Sequence, residues 1–196
     1  MEISKLQENG LLFRTRNADF VINPFDAGDK IISAASGCDF ALSSVPFQEV
    51  QRLTGENRIL SWPGEYEVKG VAVHAYPISD IDPASHPDLL FVIFSEQFKL
   101  CYLPALKAEL HSDLIEKIGD VDLLIFPVTG DEKVWQGTLE EIEPKAILPM
   151  PSSENPSALG SLITKLGLAA VEPSQKLNFK GKSDFGTEKM GLFLLS

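Results

Sequence analysis

The sequence predicts an α/β fold in which two β-sheets are covered by helices, and three observations carry that expectation. The first half of the 196-residue chain is mostly short apolar runs separated by polar turns. The second half alternates strand-like with helix-like runs and ends in strand-like ones. Within that second half, residues 121–127 are almost continuously apolar, the pattern of a strand covered on both faces. Two sheets with helical covers satisfy that order. No linker, low-complexity tract or short-period repeat interrupts it, so a single domain over residues 1–196 is expected.

Taken in order, residues 11–16 and 20–23 flank the polar turn Asn17-Ala18-Asp19 and read as a hairpin. Pro24 ends its second strand, because proline removes a ladder donor. A short helix over residues 30–35 leads through Gly37 to a buried strand at 40–42. A strand at 59–62 and a turn at 63–67 precede an alternating strand, 68–75, with Val71 and Val73 on one face. Strands at 89–94 and 100–103 follow a polar loop, 78–87. Ser112 is placed to cap a helix over 113–118 that Gly119 stops. A helix at 138–142, a strand at 146–148 and a helix beginning at Asn155-Pro156-Ser157 come next. Candidate strands at 168–171, 177–179 and 191–195 close the chain, the last an apolar edge open to pairing with a second copy.

Composition excludes several partners. Hydrophobic residues make up 44% and charged ones 23%, the balance of a soluble globular protein. The net charge of −11, from 28 acidic and 17 basic residues, repels phosphate backbones and anionic lipid, so neither nucleic acid nor membrane is expected as a partner. No apolar run reaches the roughly 18–20 residues that span a bilayer, and no signal-like segment follows Met1. A cytoplasmic location is the expectation. Cys38 and Cys101 then read as two buried thiols rather than a disulfide.

The stretch from Asp39 to Val50 stands where α/β proteins place their chemistry. A short strand opens into a Pro-broken turn and a helix start at Gln48. Yet the stretch holds no His, no Cys and, beyond its first residue, one carboxylate, Glu49.

Four phrases explain the mismatch. Asn23-Pro24-Phe25 ends the opening hairpin, Trp62-Pro63-Gly64-Glu65-Tyr66-Glu67-Val68-Lys69-Gly70-Val71 follows, then Ile118-Gly119-Asp120-Val121-Asp122-Leu123-Leu124, and finally Glu143-Pro144-Lys145-Ala146-Ile147-Leu148-Pro149-Met150. In that order, over roughly residues 5–151, they resemble the metallo-β-lactamase fold, in its branch of small bacterial metal-dependent hydrolases. The resemblance implies an αββα four-layer sandwich. It also implies zinc held by a His-x-His-x-Asp-His signature, two more histidines and a bridging Asp, because metal-bound water supplies the hydroxide. Aligned on the strand, that signature falls on Val45, Phe47, Glu49 and Val50. The further histidines fall near Asp80 and on Pro151, and the bridging Asp falls on Ala105. Only Glu49 and Asp80 carry a ligand atom, and no histidine precedes His74. The fold is therefore expected to be kept and the metal site lost, with no catalytic residue and no cofactor.

Other chemistry is weighed beside this. His74, His86 and His111 lie on separate segments and read as exposed or cap-side residues. Ser44, Glu65, Tyr66 and Cys101 are possible cleft residues. Cys101 is a conceivable nucleophile with His111 or His74, though a core thiol is the plainer reading. Glu65 and Glu67 are spaced for one face of a strand, and Ser43-Ser44 lacks a nucleophile elbow. Trp62 and Trp135 are candidate interface anchors. The functional expectation is a pseudoenzyme that binds a protein partner or assembles with itself. The alternative is a hydrolase with an altered site near Glu49 and Asp80, using zinc or another divalent ion.

Overall fold

The computed structural model describes residues 1–6, 10–24, 37–44, 58–79, 87–129, 132–151, 157–186 and 189–196. Two sheets pack face to face. The first orders its strands β12(Lys176–Asn178)-β1(Glu2–Lys5)-β2(Leu11–Arg14)-β3(Asp19–Ile22)-β4(Phe40–Leu42)-β5(Arg58–Leu60). The second runs β13(Gly191–Leu192)-β11(Ala146–Pro151)-β10(Leu123–Val128)-β9(Phe98–Tyr102)-β8(Leu89–Ser95)-β7(Val71–Pro77)-β6(Gly64–Val68). Helices α1 (Ser112–Ile118), α2 (Glu132–Ile142) and α3 (Ala158–Lys165) belong to the segments that connect the parallel strands of the second sheet. The two-sheet sandwich expected from the sequence is observed, and its described helices pack on the outer face of the second sheet.

Alternation decides which core each side chain joins. In β10, Leu123 and Ile125 point between the sheets, while Leu124, Phe126 and Val128 point toward the helices. All of β10 is buried, as its continuous apolar run demands. The core between the sheets is centred on Phe13, Phe20 and Phe40, three fully buried rings on adjacent strands. Phe20 stacks at 4.6 Å on Phe13 and at 5.0 Å on Phe40. The outer core gathers Leu90, Val92, Cys101, Phe126, Trp135 and Leu162 under the helices.

Several expectations need correction. Residues 64–68 form an edge strand rather than a turn. The reversal comes after them, at Lys69 and Gly70, whose φ angles of 49° and 76° supply it. β5 ends at Leu60, which leaves Trp62 outside the sheet and 54% exposed. The residue preceding α1 as its cap is His111, not Ser112, and it makes no side-chain cap bond. Helix α2 begins at Glu132, well before residue 138. Trp135 in that added turn is buried, not an exposed anchor. Residues 168–171 are not a strand, since they find no ladder partner. The C-terminal apolar segment is covered: Leu194 and Leu195 are buried, and Leu195 bridges Ser174. Strand β1 and the 3-10 turn Lys182–Phe185 were not legible beforehand. The expected helices at 30–35 and from Gln48 lie outside the described residues. Cys38 and Cys101 are free, buried thiols.

Candidate functional site

Strands β3, β4, β7, β9, β10 and β11 all end at one rim of the sandwich, given their pairing directions. Here the two sheets are joined by polar groups. Asn23, just past β3, has φ 48°, a left-handed conformation that Asn tolerates better than most side chains. Its Nδ2 donates to Ser44 Oγ and to the Tyr102 hydroxyl, each at 2.8 Å, and its Oδ1 accepts the Ser44 amide at 2.8 Å. The Ser44 carbonyl in turn accepts the Leu89 amide at 2.8 Å. Asn23 and Ser44 belong to the first sheet's strand ends and Tyr102 to the second's. The network is therefore an inter-sheet clamp.

Burial pushes the Tyr102 phenol up to about 12, and its hydrogen bonds with Ser44 and Asn23 offset that only in part. The phenol is neutral at any ordinary pH and does not supply an anionic ligand or nucleophile. A raised acid favours the folded state below its unfolded value and ceases to do so as pH climbs through its folded value. Tyr102→Phe is thus expected to cost about 1 kcal/mol at neutral pH, the worth of a neutral hydrogen bond. It should also remove the loss of stability expected of the native chain between pH 10 and about 12, read by urea melts across that range.

Of the positions singled out in the sequence, Val45, Phe47, Glu49, Val50, Asp80 and His86 lie outside the described residues. Ser44 is buried in the clamp. Ala105 is exposed and borders a depression of about 240 Å³ that Asp88, Lys107 and Glu109 also line. Pro151 is half-buried at the end of β11. Glu65 is exposed on edge strand β6, opposite His74 in the ladder. Tyr66 packs on the inter-sheet core and donates its hydroxyl to the Trp62 carbonyl at 2.9 Å. Cys101 turns away from the clamp: it is fully buried in the outer core, and burial pushes its thiol far up. His74 sits with its Nδ1 at 3.3 Å from the Tyr76 hydroxyl, and His111 is exposed ahead of α1. Neither joins the rim clamp. Tyr102 was the residue sequence reasoning missed. A tyrosine ending an apolar strand needs a polar partner for its hydroxyl, and an Asn-Pro at a neighbouring strand end was a candidate.

A zinc site of the kind the fold implies needs imidazoles and carboxylates. Ala105 and Pro151 offer no side-chain donor, and Asn23, Ser44 and Tyr102 bond to one another. Among the described residues no three His, Cys, Asp or Glu side chains come together as a metal-binding group. The described donor set does not fit.

The architecture defines a protein of the metallo-β-lactamase fold class. More specifically, residues 2–151 match the model of the Beta-lactamase superfamily domain, and the chain belongs to that family. A Thermotoga maritima protein of the metallo-beta-lactamase superfamily, TM0207, superposes with a TM-score of 0.78 at 19% identity, covering 99% of this chain and 97% of its own. Igni18, a metallo hydrolase from Ignicoccus hospitalis, gives 0.59 at 9% identity over 91% of this chain and 99% of its own. The Zn(2+)-bound PqqB of Methylobacterium extorquens gives 0.58 at 13% identity over 87% of each chain. At these identities the likeness concerns the fold. No curated protein matches the chain in sequence. Among the described residues no helix is long and apolar enough to cross a membrane.

Proposed function

We propose that this chain is a non-catalytic member of its family, in which the rim of the sandwich serves to bind a protein partner or to assemble rather than to hydrolyse. The observation that carries the reading is the chemistry of the rim. Asn23, Ser44 and Tyr102 are committed to a clamp, and the family resemblance assigns Ala105 and Pro151 to the positions of a bridging carboxylate and an imidazole, which neither side chain can replace. Trp62 supports it, as a large aromatic side chain 54% exposed just past the end of β5. Exposed tryptophans are frequent anchors of protein interfaces.

Assays with phosphodiester, lactone and thioester substrates, with zinc, manganese or iron supplied, test the reading. The expected result is turnover no faster than background. Metal-dependent turnover abolished by Glu49→Ala or Asp80→Ala in folded protein would instead establish a hydrolase with an altered site.

A further inference from the structure

The second sheet ends at β6, and among the described residues no strand pairs with β6 beyond β7. Lys69 and Gly70, both with positive φ, form the two-residue turn that sets the register of this hairpin. Val68 and Val71 flank the turn and exchange both backbone hydrogen bonds, and bonded and non-bonded pairs alternate from there. Glu65 and Glu67 therefore point their N–H and C=O groups away from β7, toward the open edge. No described residue outside β7 bonds to their backbones or carboxylates.

Side chains alternate along the same edge. Tyr66 and Val68 pack on the inter-sheet core, which puts exposed Glu65 and Glu67 on the sheet's outer face. Lys69, the cation next in sequence, is engaged by Asp39 at 2.5 Å and leaves Glu67 unneutralised. Tyr66 and Val68 are only half-buried. The edge thus offers unpaired backbone groups, two carboxylates on one side and a partly uncovered apolar row on the other.

Self-pairing fits this edge poorly. Two copies paired antiparallel about Tyr66 would set Glu65 opposite Glu67 of the second copy, and like charges directly opposed are destabilising. A strand with lysine or arginine at alternate positions and apolar residues between them matches both rows. The net charge of −11 also favours approach of a basic segment.

We propose that β6 is a docking edge for an extended segment of a partner protein whose side chains alternate between basic and apolar. The segment adds a further strand to the second sheet and bonds to the Glu65 and Glu67 backbones. Its basic residues lie beside their carboxylates, and its apolar ones beside Tyr66 and Val68. Strand β6 runs away from the rim and takes no part in the clamp, so the inference does not depend on whether the rim is catalytic.

The test titrates the full chain, labelled with nitrogen-15, with a capped heptapeptide alternating lysine and valine at low salt. Controls are the glutamate–valine counterpart and the lysine peptide with its backbone nitrogens methylated. The lysine peptide is expected to shift the Glu65 and Glu67 amide resonances saturably and to slow their hydrogen exchange. Both controls should bind at least tenfold more weakly. Glu65→Lys combined with Glu67→Lys should keep the native urea midpoint and weaken the lysine peptide about tenfold, as two attractions become repulsions. Linear shifts, equal binding of the methylated peptide, or binding unaltered in the folded double variant would each overturn the proposal. So would shifts of the same two amides on dilution of the chain alone, which would give the edge to a second copy.

Discussion

Phe20→Ala is expected to lower folding stability by about 3–5 kcal/mol, the cost of truncating a well-packed buried phenylalanine. Phe20 is fully buried on β3, between the antiparallel neighbour β2 and the parallel neighbour β4. Its ring stacks on Phe13 with 2° between the planes and on Phe40 with 8°. Removing it leaves the middle of the column empty and deprives both outer rings of a face, so each stack's extra ~0.5–1.5 kcal/mol is lost with the transfer term. The surrounding strands are tied in a ladder and have little room to collapse into the gap. Equilibrium urea unfolding measures the loss. A change below about 1.5 kcal/mol would mean that the inter-sheet core repacks far more readily than a close-packed interior does.

Asp122→Ala is expected to cost about 2–3 kcal/mol, by loss of charge-assisted hydrogen bonds discounted for half-exposed partners. The carboxylate is only 3% exposed. It receives Lys145 Nζ at 2.7 Å, Lys182 Nζ at 3.1 Å and the Lys99 amide at 2.9 Å. It therefore ties β9, β11 and the 3-10 turn near the C-terminus to the start of β10. Lys145 and Lys182 are about half exposed and regain water when the carboxylate goes; the Lys99 amide does not so readily. Burial pushes the Asp122 carboxyl up, but Lys145, the Lys99 amide and Lys182 together outweigh it and hold the group below the ordinary 3.8. A depressed acid contributes stability above its unfolded value and loses it as pH falls through its folded value. The gap between native chain and Asp122→Asn should accordingly be widest at neutral pH and narrow as pH drops below about 4. A gap independent of pH would contradict the ion-pair explanation.

Much of the fold was legible because its cues are local. The run at 121–127 had to be covered on both faces, and β10 is. The alternation around Val71 and Val73 put both between the sheets. What failed depends on partners distant in the chain. Strand β1 pairs with β12 across most of the sequence, and nothing in Glu2-Ile3-Ser4-Lys5 announces that neighbour. Glu65-Tyr66-Glu67 looks like a polar turn, but the ladder to β7 makes it an edge strand whose charges face solvent. The assignment of Ala105 and Pro151 to ligand positions comes from the family resemblance and forms part of the proposed function; the structure adds that Ala105 is exposed and Pro151 half-buried at the end of β11. The clamp was not legible, because Asn23, Ser44 and Tyr102 meet only once two sheets have packed.

The central claim is that this chain keeps the fold without the metal chemistry. Metal content of the purified, tag-free protein, measured by elemental mass spectrometry after incubation with zinc, manganese and iron and removal of loose ions, tests it most directly. The expected result is close to zero ions per chain for all three metals. One or two tightly held ions per chain would contradict it and would make the altered hydrolase site near Glu49 and Asp80 the leading explanation.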